Sequence, residues 1–122
     1  MAKMLLITQT EVREEEVNGL DDMYRLLDCN TIDIVSRYVQ GEEYHIIVDD
    51  EGLFKSKRIP SAYRTTTSEP ALVNNLLITH YNEEGEEVDL TDEDIEFLKR
   101  QIADVESRIG DKWIQHKIIF ID

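Results

Sequence analysis

Cysteine is almost missing from this sequence. Cys29 stands alone, so no intrachain disulfide and no cysteine-based metal centre can form, and a reducing, cytoplasmic setting is expected. Long apolar runs are missing too, which excludes a membrane-spanning helix of roughly 20 residues. The patch from Met4 to Ile7 is too short for the core of a signal peptide. Positive charge is scarce: 13 basic residues face 27 acidic ones, a net charge of −14. That balance disfavours attraction to nucleic acid or to an anionic membrane, and favours cations or a basic protein surface. Familiar catalytic patterns are absent as well. There is no Gly-rich phosphate loop, no Walker-type Lys-Ser/Thr pair, no Gly-x-Ser-x-Gly elbow and no His-Glu-x-x-His pair. The expectation is a protein without catalysis, cofactor or metal.

What is present argues for a folded chain. Apolar residues make up 41% of it, and their periodicity opposes disorder despite the charge. At 122 residues a single domain spanning 1–122 is expected, able to bury about two-thirds of its unfolded surface.

The clearest local signals run from Leu72 to Ile109. Leu76 to Tyr81 reads as a strand, Asn82 to Gly85 as a turn, and Glu86 to Leu90 as a short returning partner. Thr91 is placed to cap a helix, with Asp94 in the capping-box position and Leu90 and Ile95 as a hydrophobic staple. Asp92, Glu93 and Asp94 suit the positive end of the helix dipole. Ile95, Leu98, Ile102, Val105 and Ile109 then recur at helical spacing. They predict a helix over 92–109 that ends at Gly110.

Elsewhere, Lys3 to Thr8 reads as a strand apolar on both faces, so central in its sheet. Val12 to Val17 reads as an acidic edge strand. Asn18 is expected to cap a helix whose apolar face carries Leu20, Met23, Tyr24, Leu26 and Leu27. Thr31 to Val39 and Tyr44 to Val48 form a hairpin around Gln40-Gly41. Lys112 to Ile121 reads as a last strand. The fold class implied is α+β: a mixed or antiparallel sheet of about five to seven strands with two helices, the longer packed on one face.

Two surfaces carry candidate chemistry. The stretch 55–70 is expected to be an irregular basic loop, holding both prolines and no acid between Gly52 and Ser68. Lys55, Lys57, Arg58, Tyr63 and Arg64 are its candidate residues for gripping an anion such as a phosphate. Against it stand the acidic clusters, with Asp49, Asp50, Glu83, Glu84, Glu86 and Glu87 as candidate contacts to a basic partner. Their spacing fits no EF-hand loop, and solvated turns are the simpler reading. His45, His80 and His116 lie on separate predicted strands. A small enzyme with an unrecognised site needs some of them to converge with Cys29.

The segments YHIIVDDEG, RIPSAYR and LLITHYNEEGEEVDLTDEDIEFLKRQI together resemble a small phage and mobile-element domain of unknown function from Gram-positive bacteria. Ile59, Pro60 and Arg64 occupy its middle segment, with Ala62-Tyr63 where that family carries Asn next to Arg. Leu90, Thr91, Asp92 and Glu93 match its helix cap. The resemblance covers most of Met1 to Ile102, and the tail from Gly110 to Asp122 is expected to be an addition. It implies a phage or prophage setting and carries no activity. Four functional expectations result. In order, they are an acidic surface that occupies a basic host protein, a binder or sponge for a small anionic ligand (nucleotide or phosphate) using 55–68, a small enzyme, and an assembly role.

Overall fold

Both faces of the first strand are apolar because both are covered. The computed structural model describes residues 2–122. In chain order it contains β1 (Ala2–Ile7), β2 (Val12–Val17), α1 (Leu20–Leu27), β3 (Ile32–Val39), β4 (Glu42–Asp49), β5 (Pro60–Arg64), β6 (Pro70–Val73), β7 (Leu76–Tyr81), β8 (Glu87–Val88), α2 (Asp92–Gln101), β9 (Ile102–Ile109) and β10 (Lys112–Ile121). The fold is α+β.

One sheet has the order β2-β1-β7-β4-β3, with β8 paired to β7. Its pairings are all antiparallel. Alternate side chains point to opposite faces. Met4, Leu6, Ile47 and Leu77 form one core with Met23, Leu26 and Leu27 of α1. Leu5, Ile7, Tyr44, Ile46, Leu76 and Ile78 form the other, against α2 and the second sheet. That second sheet has the order β6-β5-β10-β9 and is mixed, because β5 and β10 run parallel. The backbones of Tyr38 and Asp122 exchange two hydrogen bonds, at 2.9 and 2.8 Å, which ties the end of β10 to edge strand β3.

The turns obey their chemistry. Gln40 and Gly41 both have positive φ, 50° and 85°, as a two-residue type I′ hairpin demands. Thr91 caps α2: its hydroxyl accepts from Asp94 N at 3.1 Å, and Asp94 Oδ2 accepts from Thr91 N at 2.9 Å. Leu90 and Ile95 are both buried in the larger core, as the staple requires.

Four sequence expectations need correction. The helix over 92–109 stops at Gln101, and Ile102–Ile109 is a strand instead. From Val105 onward the residues alternate in burial, and the whole segment pairs in register with Lys112–Ile119. Pairing a long apolar neighbour outweighs helical spacing in a β-branched stretch. Gly110, at φ 66°, turns that hairpin rather than ending a helix. Asn18 does not cap α1: Gly19 holds the cap position, and the Asn18 N–H donates to Asp22 Oδ2 at 2.8 Å. The stretch 55–70 is not irregular throughout, since 60–64 forms β5 beside β10. Pro60 and Pro70 begin their strands, where a missing N–H disturbs no inner ladder.

Candidate functional site

A cleft of about 350 Å³ opens where the two sheets and the end of α1 meet. That volume lies within the range of small-ligand sites. Its lining comes from far apart in the chain: Thr8 and Gln9 after β1, Asp28 after α1, Asp49 at the end of β4, the stretches 55–57 and 59–61, Asn74 and Asn75 before β7, and His116 and Lys117 of β10.

Local chemistry explains how each wall is held. The Asn74 backbone takes φ 63°, a left-handed conformation that asparagine tolerates. Its side chain accepts from Ile59 N at 3.1 Å and donates to Lys57 O at 3.2 Å, pinning the rim. The Asn75 amide donates to Leu26 O at 3.0 Å, anchoring the end of α1. Lys55 donates to Asp28 O at 2.7 Å, and its ammonium stands 2.7 Å from Asp49 Oδ2. The Asp49 carboxylate holds the Lys55 ammonium above the usual lysine range.

The floor is polar and buried. His116 is 2% exposed and Ser61 6% exposed. His116 Nε2 lies 2.8 Å from Ser107 Oγ, while His116 Nδ1 and Ser61 Oγ have no hydrogen-bond partner among the described residues. A buried polar atom without a partner costs about 1–3 kcal/mol, and a side-chain rotation that turns either atom to the cleft would let an occupant recover that cost. If the Ser107 hydroxyl donates to Nε2, the imidazole carries its proton on Nδ1 and becomes a donor. Lys117 is paired with Asp104 at 2.7 Å. Lys57 is the cleft lysine with no carboxylate partner among the described residues.

The five candidate anion residues are split by this arrangement. Lys55 and Lys57 line the cleft. The Arg58 guanidinium folds back to donate to Leu53 O at 3.1 Å. Tyr63 packs near Phe120, with ring centroids 6.2 Å apart, and Arg64 is exposed at the far end of β5. Ser61, Asn74, Asn75 and His116 are not among the sequence candidates for the anion. The Asn-Asn pair between two strands and the single imidazole within β10 are the sequence signals that mark them.

The acidic candidates also separate. Glu83, Glu84 and Glu86 are exposed on the turn after β7. Asp49 and Asp50 stand at the opposite end of the sheet: the register of β4 on β7 sets Asp49 about eight residues, ~26 Å, from Glu83. Asp50 is exposed, but Asp49 is only 9% exposed and is committed to Lys55. Asp49 therefore presents no free charge to a partner, which corrects its place in the acidic surface. Glu87 is part-buried, 3.6 Å from His45 Nδ1.

The histidines occupy three places, since His45 and His80 point to opposite faces of the first sheet. His45 stacks on Tyr81 at 3.8 Å, and His80 stacks on Tyr44 at 4.6 Å with Asp94 3.4 Å from its Nδ1. Burial, and to a lesser degree the Asp94 carboxylate, pushes the Tyr44 hydroxyl above the usual tyrosine range. His116 belongs to the other sheet and to the cleft. Cys29 is part-buried near Asp49 and Lys55, and burial raises its thiol above the usual range, which disfavours the reactive thiolate. No group of three metal-ligating side chains that could hold an ion occurs among the described residues.

No helix among the described residues is long and apolar enough to cross a membrane. No curated protein and no solved structure matches the chain. A family match covers residues 1–103, from β1 into the start of β9, and by it the chain belongs to the family described as Domain of unknown function (DUF3846).

Proposed function

We propose that this domain is a binding protein without catalysis, and that its cleft takes a small anion of the phosphate class. One observation carries the reading: two buried polar atoms without partners, Ser61 Oγ and His116 Nδ1, belong to residues of a cleft whose rim offers Lys57. A tetrahedral oxyanion accepts from several donors at once, and charge-assisted bonds are the stronger ones. Of the two cleft carboxylates Asp49 does not oppose this, because it is already paired with Lys55, while the exposed Asp28 side chain at the edge is the unfavourable charge that Lys57 has to outweigh.

Thermal unfolding with inorganic phosphate and with phosphorylated metabolites tests it. A ligand at about 100 times its Kd stabilises by about 2.7 kcal/mol, and Lys57→Ala and Ser61→Ala should each reduce that gain. No stabilisation at millimolar concentrations would remove the reading.

The net charge of −14 and the exposed Glu83, Glu84 and Glu86 support a second reading. In a cytoplasmic phage or mobile-element setting in Gram-positive bacteria, the turn after β7 occupies a basic surface of a host protein. Partners captured from such a host should be basic and should be released as ionic strength rises. Capture that is indifferent to salt would count against it.

A further inference from the structure

We infer that the anion in the cleft is the phosphate of a free mononucleotide, whose base stacks on Phe54. This rests on the anion reading above and adds the chemistry of the rest of the ligand.

Phe54 is 88% exposed and belongs to neither core. Beside it Leu53 is 64% exposed. A phenyl ring left in water forgoes a large apolar gain, which a stacked partner would recover. The segment that carries it is well held. Phe54 N donates to Glu51 O at 3.0 Å and Lys55 N to Gly52 O at 3.3 Å, closing a single 3-10 turn over Gly52–Phe54. Gly52 is seated against β6, where an added Cβ would stand 3.3 Å from Val73 Cγ2. The Arg58 guanidinium reaches back to Leu53 O and closes the rim from 53 to 58. Phe54 is therefore presented on an anchored turn.

Two chemistries are neighbours in the chain here. Lys55, Ser56 and Lys57 line the cleft; Phe54 lies just outside that lining, at most about 10 Å of chain from Lys57. Aromatic rings beside cations are what a base and its phosphate select: the ring stacks on the base face, and the cation meets the charge. A longer nucleic acid strand is the less favourable ligand. It would have to lie along a protein of net charge −14, which opposes polyanion binding, whereas one nucleotide needs only the cleft and its rim.

Calorimetry at low salt with inorganic phosphate, adenosine monophosphate, adenosine and a short single-stranded oligonucleotide tests this. Adenosine monophosphate should bind about tenfold or more tighter than phosphate. Phe54→Ala should erase that increment without changing phosphate binding, and Phe54→Trp should keep it. The exposure of Phe54 lets both variants fold, which circular dichroism checks. Equal binding of phosphate and the nucleotide, unaffected by Phe54→Ala, would overturn the base subsite and leave the anion cleft standing. Absence of binding by either would overturn both. Tighter binding of the oligonucleotide than of the mononucleotide would overturn the assignment to a free nucleotide.

Discussion

Thr91 and Asp94 show how much one short side chain can hold. Their reciprocal bonds satisfy two backbone donors at the start of α2, and Asp94 also lies 3.4 Å from the Tyr44 hydroxyl and from His80 Nδ1. Asp is shorter than the usual Glu of a capping box, yet the distances of 2.9 and 3.1 Å are ordinary hydrogen bonds. Thr91→Ala removes one acceptor and should cost about 1 kcal/mol of stability, while Thr91→Ser should be close to neutral. Urea unfolding monitored by far-ultraviolet circular dichroism measures both. Equal losses from the two variants would mean that the threonine methyl, and not the hydroxyl, supports the helix. At the same scale lie the residues that sequence alone does not mark. Ser61 and His116 acquire meaning only from burial, and burial of a hydroxyl or an imidazole is set by neighbours far along the chain.

Elements are legible where local chemistry and pairing agree. The run Met4-Leu5-Leu6-Ile7 reads as a central strand because apolar residues on both faces need two cores, and both cores are there. The hairpin around Gln40-Gly41 and the capped start of α2 are likewise written in their turn residues. The segment from Ile102 to Ile109 misleads, and the reason is physical. Ile95, Leu98, Ile102, Val105 and Ile109 fit a helix, but Val105, Ser107 and Ile109 fit a strand equally well. Local spacing does not choose between the two; the partner does. Lys112–Ile119 offers eight in-register pairs, and the Gly110-Asp111 turn joins the strands. That Gly-Asp pair between two alternating runs is a hairpin signal, overshadowed in the sequence by a cap that truly starts a helix. The same competition hides β5. Its basic, proline-flanked surroundings look like a loop; of its two partners, β6 pairs with it through a broken register and β10 is a strand more than 50 residues away.

Viewed as a whole molecule, the chain is completed by its last strand. The family match ends at residue 103, just inside β9, and the sequence suggests that the tail beyond Gly110 is an addition. The sheet order argues otherwise, because β10 sits between β5 and β9 and is the sole link that joins them. Its Ile118, Ile119 and Ile121 are all buried, at 4%, 0% and 1% exposure. Burying three such side chains contributes about 5–9 kcal/mol, against a total stability of about 5–15 kcal/mol for a typical domain. The strand also brings His116 and Lys117 to the cleft and fastens Tyr38 through Asp122. A chain cut after Ala103 should therefore lose cooperative unfolding and bind a hydrophobic dye, with β5 and β6 left as an unsupported pair. Adding back a peptide of residues 104–122 should restore a cooperative transition if β9 and β10 can form their hairpin on the exposed edge of β5. The alternative has a plain signature: a truncated chain that unfolds in one sharp step, without dye binding, would show that the first sheet with its two helices is self-sufficient and that the second is an ornament to it.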